Sequence, residues 1–269
     1  MPGKGKRQVE RNPVLDVLMK RRSVRKFQAR KVEREVLETI VRAGQQAPFA
    51  SQLASVVYAT DGNFPFAAPV WFVICVDAHR LQRFMQRRGW DLVTNDLSLL
   101  LLGMQDAAYL AGNMVTAAES LGLGSCFLGQ VSMKASRIKH LAERLKLPPK
   151  VLPMVELVMG YPAEEFPPRP RFPLKFTLFA GEYPALGEEE VQEAMAAMDE
   201  GYLEQGYYAK QQVKIPIEGG KKEDRFTFAD YSWTEHISRK WGQWGKSGKD
   251  LLEVLRERGF DLARAAGEE

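Results

Sequence analysis

The stretch from Leu97 to Ala118 does most to limit what this chain can become. It is rich in Leu, Ala and Met and long enough, read as a helix, to suggest a membrane span. Asp106 stands near its centre, however, with Gln105 and Asn113 on either side. A mid-span Asp costs roughly 2.5–3.5 kcal/mol on insertion, a penalty that a helix inside a protein avoids. The stretch therefore predicts an interior helix from about Asp96 to Ser120, and no membrane partner. Apolar residues occupy nearly every face of it, which implies burial on most sides. In a chain of 269 residues, packing against its twin in a dimer is one way to bury such a helix.

The remaining elements fall around it. Asn12-Pro13 is a helix start, with Asn as cap and Pro in the first turn; Val14, Leu15, Leu18 and Met19 follow at helical spacing up to Arg21-Arg22. Val32 to about Gln46 predicts a second helix, stopped by Ala47-Pro48. Ser55–Thr60 is short and β-branched, and Val70–Val76 is a continuous apolar run, so both predict strands, the second a central one. An amphipathic stretch covers Arg80–Arg88. Ser125–Gly129 and Met154–Met159 predict two more strands, with a helix marked by Ile138, Leu141 and Leu145 between them.

Four strands interleaved with helices imply a three-layer α/β or α+β sandwich. Beyond Gly160 the composition changes. Tyr161–Pro173 holds five prolines and reads as extended surface chain. Glu188–Tyr202 predicts a helix with Val191, Met195, Met198 and Tyr202 in line. Lys214–Ser232 reads as an exposed loop. Trp233, Trp241 and Trp244 precede a last helix near Asp250–Arg258.

Composition excludes other classes. With 45% hydrophobic and 27% charged residues, the chain is neither disordered nor a repeat. The net charge of +4 suits an anionic ligand but is too small to argue for nucleic acid. Cys75 and Cys126 lie far apart, inside apolar runs. They read as buried thiols rather than a disulfide or zinc pair, and a reducing cytoplasm is the expected setting. The basic N-terminal residues MPGKGKRQVERN lead into no apolar signal core, so secretion is not expected.

Two clusters carry candidate chemistry. In Arg21-Arg22-Ser23-Val24-Arg25-Lys26-Phe27, three arginines and a hydroxyl leave a helix end together and can hold a phosphate through charge-assisted bonds. Taken alone, the seven residues read more simply as a solvated basic turn. Arg169-Pro170-Arg171 is a second basic pair on stiff backbone. Two such clusters far apart in sequence can converge on one phosphate; a polar loop that keeps the segment soluble is the plainer alternative.

No GxGxxG follows a strand, and GxxxxGK[ST], GxSxG and HExxH do not occur. His79, His140 and His236 share no ligand spacing, so no metal site and no catalytic side chain is assigned. An enzyme built this way leaves its chemistry to a cofactor.

Four blocks in register support that view: RRSVRKF, APFASQL at Ala47–Leu53, DAAYLAGNMVTAAESLGLGSCFLG, and RPRFP. Together they resemble the FMN-dependent nitroreductase family, closest to its oxygen-insensitive nitroreductase and NADPH–flavin reductase branch. WTEHISRKW and the Leu-rich helix after it also fit that branch. The resemblance spans roughly Val14 to Leu262. It implies an α+β three-layer sandwich, with a mostly antiparallel sheet flanked by helices, in an obligate homodimer. It also implies a basic tail over 1–12, an FMN-binding core over 13–180 and a C-terminal helical extension over 181–269, wrapped on core or partner.

Arg21, Ser23 and Arg25 would hold the FMN phosphate, with Arg22 lining the flavin through its backbone. Arg169 and Arg171 would clamp the same phosphate. Pro48, Phe49, Ala50 and Gln52 match the loop that reaches the flavin from the other subunit. Phe127, Leu128, Gly129 and Gln130 match the strand and turn facing the ring. The implied activity is ping-pong hydride transfer from NADPH or NADH, through flavin N5, to a small acceptor such as a nitroaromatic, a quinone or a flavin. Lys210, Lys214, Lys221, Lys222 and Arg225 are candidates for an NADPH 2′-phosphate, or simply a solubilising loop.

The chain departs from the family in two places. Phe49, Ala50 and Gln52 stand where relatives offer hydroxyls and an Asn, and only a short link joins Thr60 to Pro69. Both changes leave room for a dedicated substrate, by dehalogenation or metabolite oxidation. A non-catalytic flavin or nucleic-acid binder is the alternative from another class.

Overall fold

The computed structural model describes residues 10–243 and 248–262. Trp244 and most of the basic N-terminal segment lie outside those residues. The chain divides into two units, Met1–Phe166 with Gly248–Glu269, and Pro167–Ser247.

The first unit is built on four strands: β1 (Ala54–Ala59), β2 (Val70–Asp77), β3 (Gly124–Leu128) and β4 (Val151–Gly160). They pair antiparallel throughout in the order β1-β2-β4-β3. Every residue of β2 is buried, because helices cover both of its faces. β4 begins three residues before the stretch read from the sequence and includes Pro153. The proline is accommodated by a bulge: Ile74 pairs with Val155 and Cys75 with Pro153, leaving Met154 as the extra residue. β3 stops at Leu128, opposite Glu156, so Pro153 is needed for no bond on that side.

Helices make the outer layers. On one face, Val70, Phe72, Ile74, Leu157 and Met159 pack with Ile40 of α2 (Arg34–Gln45) and with Ala107, Ala111, Met114 and Val115 of α4 (Asp96–Ser120). On the other, Trp71, Val73, Cys75 and Val158 pack with Ile138 and Leu141 of α5 (Ala135–Arg144) and with Val254 and Phe260. Val254 belongs to α9 (Lys249–Glu257). Arg258, just beyond it, donates to the carbonyls of Leu147, Pro148 and Val151. The shorter α1 (Pro13–Lys20) is capped as expected, Asn12 Oδ1 accepting from Val14 and Leu15 N–H at 3.1 Å. α3 (His79–Arg87) follows β2 and buries no residue.

Within this chain one face of α4 is open, with Leu97, Leu101, Leu102, Met104 and Tyr109 all exposed. No helix among the described residues is long and apolar enough to cross a membrane.

The second unit holds α6 (Glu188–Glu204), α7 (Tyr207–Gln211) and α8 (Trp233–Gly242). In α6 the buried residues are Ala194 and Met198, and Met195 is exposed. An aromatic cluster of Tyr202, Tyr207, Tyr208, Tyr231, Trp233 and His236 joins the three helices. The 214–232 segment is not simply an exposed loop: Ile215, Tyr231 and Ser232 are buried. Arg239, also buried, fixes it by bonds to the Ile215 carbonyl (2.8 Å) and the Asp224 carboxylate (2.6 and 2.7 Å). These bonds, with Lys214 next, hold the Asp224 carboxyl well below its usual range. No apolar periodicity announces such a segment, because polar contacts tie it down.

Candidate functional site

The Arg21–Phe27 segment leaves α1 and runs along the outer edge of β3. Ser23 forms a parallel bridge with Ser125, and Val24 N–H donates to the Ser125 carbonyl at 2.8 Å. Gly124 makes that approach possible: a Cβ there would stand 2.5 Å from Val24 Cγ2. Glu164 Oε1 accepts from the N–H groups of Arg25 (2.6 Å) and Lys26 (3.0 Å), fixing the far end of the segment. Arg21, Arg22, Ser23 and Arg25 are consequently half-buried on one ledge. Phe127, Leu128, Gly129 and Gln130 continue the same ledge, at the end of β3 and in the turn after it.

The ledge is strongly cationic. Among the described residues, neither Arg21 nor Arg25 has a carboxylate within ion-pair distance, and Arg22 reaches only the exposed Glu165, at 4.0 Å. Arg22 Nε is buried without a hydrogen-bond partner, as are Glu119 Oε1 and Ser125 Oγ. Burial raises the Glu119 carboxyl above its usual value, with Arg21 and Arg22 pulling the other way. The Cys126 thiol is likewise raised by burial, opposed by Arg25 and Arg21.

The Ala47–Leu53 loop lies elsewhere, leading into β1 at the opposite edge of the sheet. Three strand intervals separate β1 from β3, roughly 14 Å. Pro48, Phe49, Ala50 and Gln52 are all exposed, and Gln52 adopts a left-handed backbone with φ of 52°. This loop borders a cavity of about 270 Å³ with Val41, Ser55, Arg80, Asp106 and Leu110 in its wall. One chain therefore gathers the arginine cluster and the 127–130 turn, but not the 48–52 loop.

In the second unit, Arg169 donates to Gln205 Oε1 at 2.5 Å and lies over the Tyr207 ring at 4.2 Å. Arg171 folds back onto the Arg169 and Pro170 carbonyls, both at 3.0 Å. Of the basic residues read as candidates for a 2′-phosphate, Lys210 bonds the Gln205 carbonyl, Lys214 pairs with Asp224 and Lys222 with Glu218.

Sequence reasoning passed over two buried carboxylates. Asp106, the acid that interrupts the apolar run of α4, accepts N–H groups of the Ala47–Leu53 loop. Glu156, directly opposite Leu128, accepts from Trp71 Nε1 and Arg137 Nε, each at 2.8 Å. The available signal was the same for both: a single acid inside an apolar run.

The model of the Nitroreductase family matches residues 18–61 and 58–161, more than half of the chain. The chain belongs to the nitroreductase family. This nitroreductase-family chain is 30% identical over 265 residues to an oxygen-insensitive NADPH nitroreductase of Salmonella typhimurium, covering 93% of this chain and 98% of the relative. It is 26% identical over 267 residues to an FMN reductase (NADPH) of Bacillus subtilis, covering 93% and 99%. Among solved structures, it is similar to the hypothetical oxidoreductase YcnD from Bacillus subtilis. That likeness has a TM-score of 0.77 and 28% identity, over 94% of this chain and all of the other. The nitroreductase fold expected from RRSVRKF and the Ala–Glu–Ser–Leu–Gly block is thus the fold observed.

Proposed function

We propose that the chain is an FMN-dependent NAD(P)H oxidoreductase that acts as a homodimer on a small electron acceptor. The observation that carries this reading is the ledge along β3. Among the described residues, Arg21 and Arg25 stand there without carboxylate partners, half-buried beside the Ser23 hydroxyl. A phosphate, with several acceptor oxygens and two negative charges, fits that donor set. FMN carries such a phosphate on a planar ring, and the exposed 127–130 turn further along the ledge offers the ring a backbone surface. The names of the Salmonella and Bacillus relatives supply NADPH as donor and FMN or nitro compounds as acceptors.

In this reading Arg21, Ser23 and Arg25 hold the phosphate, while Arg22, Phe127, Leu128, Gly129 and Gln130 meet the ring. The chemistry that FMN supplies when bound is hydride exchange between NAD(P)H and the acceptor, in two half-reactions at one face. The chain's own residues bind, orient and exclude water; none is assigned as acid or base. Two free thiols, both buried, go with a cytoplasmic setting.

The dimer follows from what one chain leaves undone. The open face of α4 is apolar, as are the exposed Val14, Leu18 and Met19 of α1, and faces of this kind mark association. Along α4, Asp106 holds the 48–52 loop and Glu119 borders the arginine ledge, with exposed Gly112 midway. An antiparallel two-fold pairing of α4 about the Gly112–Asn113 step sets residue 106 of one helix level with residue 119 of the other. Each ledge then receives the Pro48–Gln52 loop of the partner subunit. Phe49, exposed at 55%, brings a ring rather than a hydroxyl to that place, which favours aromatic acceptors by stacking.

An absorbance spectrum of the purified protein, taken before and after anaerobic NADPH addition, tests the proposal. A flavin band of about one FMN per chain that bleaches is expected, from a species sedimenting as a dimer. Absence of flavin after FMN is supplied overturns it.

A further inference from the structure

Residues 48–52 of the Ala47–Leu53 loop are exposed, and a non-glycine residue there, Gln52, stands in a left-handed conformation. Such backbone persists only where its surroundings over-determine it. Two charged side chains do so here, one through the loop's N–H groups and one through its carbonyls.

Asp106 lies at mid-length in α4 and is 4% exposed. Its Oδ1 accepts from Ala50 N–H at 2.8 Å; its Oδ2 accepts from Leu53 N–H at 2.8 Å and from Ser51 N–H at 3.4 Å. One turn earlier, Gly103 lets α4 close on the loop: a Cβ there would meet Leu53 Cβ at 3.5 Å and collide with Val76. Arg80 donates to the Gln52 carbonyl at 3.1 Å and to the Ala54 carbonyl. Asp77 holds that guanidinium in turn, at 2.9 Å. The loop's donors thus go to a carboxylate and its acceptors to a guanidinium, with Gln52 bracketed between them. A buried carboxylate is a costly way to secure a surface loop unless the loop's geometry matters.

We infer that Asp106 and Arg80 are positioning residues, a two-sided clamp that holds Phe49 and Gln52 in the conformation with which they meet the flavin and its acceptor. The inference rests on the function proposed above. It adds that acceptor access is set from the α4 interior, so that loop shape and the dimer helix are one mechanical piece.

The test compares flavin-loaded wild type with Asp106→Asn and Arg80→Lys. Arg258→Gln serves as the control, since it removes carbonyl bonds at 147–151 and none at the loop. Three readouts are taken: the FMN dissociation constant, the visible circular dichroism of bound FMN, and KM and kcat for a nitroaromatic acceptor. Loss of a hydrogen bond to a charged group predicts roughly tenfold or greater loss of FMN affinity or rise in KM in both loop variants. The flavin dichroism changes with it. Arg258→Gln lowers the melting temperature and moves none of the three. A flavin-loaded wild type whose two loop variants behave like Arg258→Gln overturns the inference alone. A wild type that takes up no FMN overturns the function proposal and the inference together. Should Asp106→Asn fail to fold, Arg80→Lys, altered at an exposed side chain, decides the matter.

Discussion

Gly124→Ala is the smallest change that separates the arginine ledge from its support. The glycine has ordinary backbone angles, so an added methyl group meets only its neighbours. Those are Val24 Cγ2 at 2.5 Å, Val24 Cβ at 2.8 Å and Val24 Cγ1 at 3.2 Å. Carbon atoms rest about 3.5–4.0 Å apart, so Val24 has to withdraw by about 1 Å. It cannot do so by rotation, being β-branched and 2% exposed. The backbone moves instead, and the 2.8 Å bond from Val24 N–H to Ser125 stretches. Overpacking costs about 1–3 kcal/mol and a weakened backbone bond about 1 kcal/mol more. For a unit of this size that corresponds to a fall in melting temperature of roughly 4–16 °C.

Because Arg21, Ser23 and Arg25 ride on the displaced segment, FMN affinity falls alongside stability. The assay is thermal unfolding by circular dichroism together with FMN titration of the apoprotein by flavin fluorescence. Val24→Ala added to Gly124→Ala removes both Cγ contacts and restores part of each loss, a coupling of about 0.5–3 kcal/mol. Unchanged melting and FMN binding in Gly124→Ala, or strict additivity in the pair, refutes the packing account.

Two further outcomes follow from buried groups. The Cys75 thiol is pushed up to about 12 by burial, reinforced by Asp77, and Cys126 is raised for the same first reason. Both stay protonated at pH 8, so a disulfide reagent labels neither in the native protein and both after denaturation. Since an unfolded Cys ionises near 8.5, the unfolded state loses protons that the folded state keeps, and stability falls as pH climbs from about 8.5 toward 12. Arg137→Met leaves the buried Glu156 carboxylate with Trp71 as its one hydrogen-bond partner among the described residues. It should cost about 3–5 kcal/mol, whereas replacing both partners by apolar residues costs far less; denaturant unfolding of single and double variants checks this.

Much of the first unit was legible because its elements announce themselves by apolar pattern and by caps. Asn12-Pro13, the run Val70–Val76 and the bounds of the Asp96–Ser120 helix all appear where periodicity put them. The arginine ledge was legible as composition, but not its attachment to β3, which depends on a missing methyl group at Gly124. Asp106 was visible as an anomaly in an apolar helix, yet its partners are backbone N–H groups some fifty residues away, and those have no sequence signature. The same limit applies to the 214–232 segment, where Arg239 and Asp224 do the work that apolar periodicity does elsewhere. Met195 illustrates the reverse case, an apolar residue in phase with a helix face that the fold leaves exposed.

The return of Gly248–Glu269 to the first unit has a bearing on how the chain comes off the ribosome. Phe260 is fully buried in the core shared with Trp71 and Leu141, and Arg258 closes the carbonyls before β4. The sheet therefore emerges early but lacks its last wall until the whole insert, residues 167–247, has been made. At about 5–20 residues per second, some 80 residues impose a wait of several seconds. Throughout that interval the apolar surface that Val254 and Phe260 go on to cover faces solvent or a chaperone. Lengthening or trimming the insert changes the closure entropy only slowly, so the length of the insert sets the wait far more than it sets the stability of the closed wall.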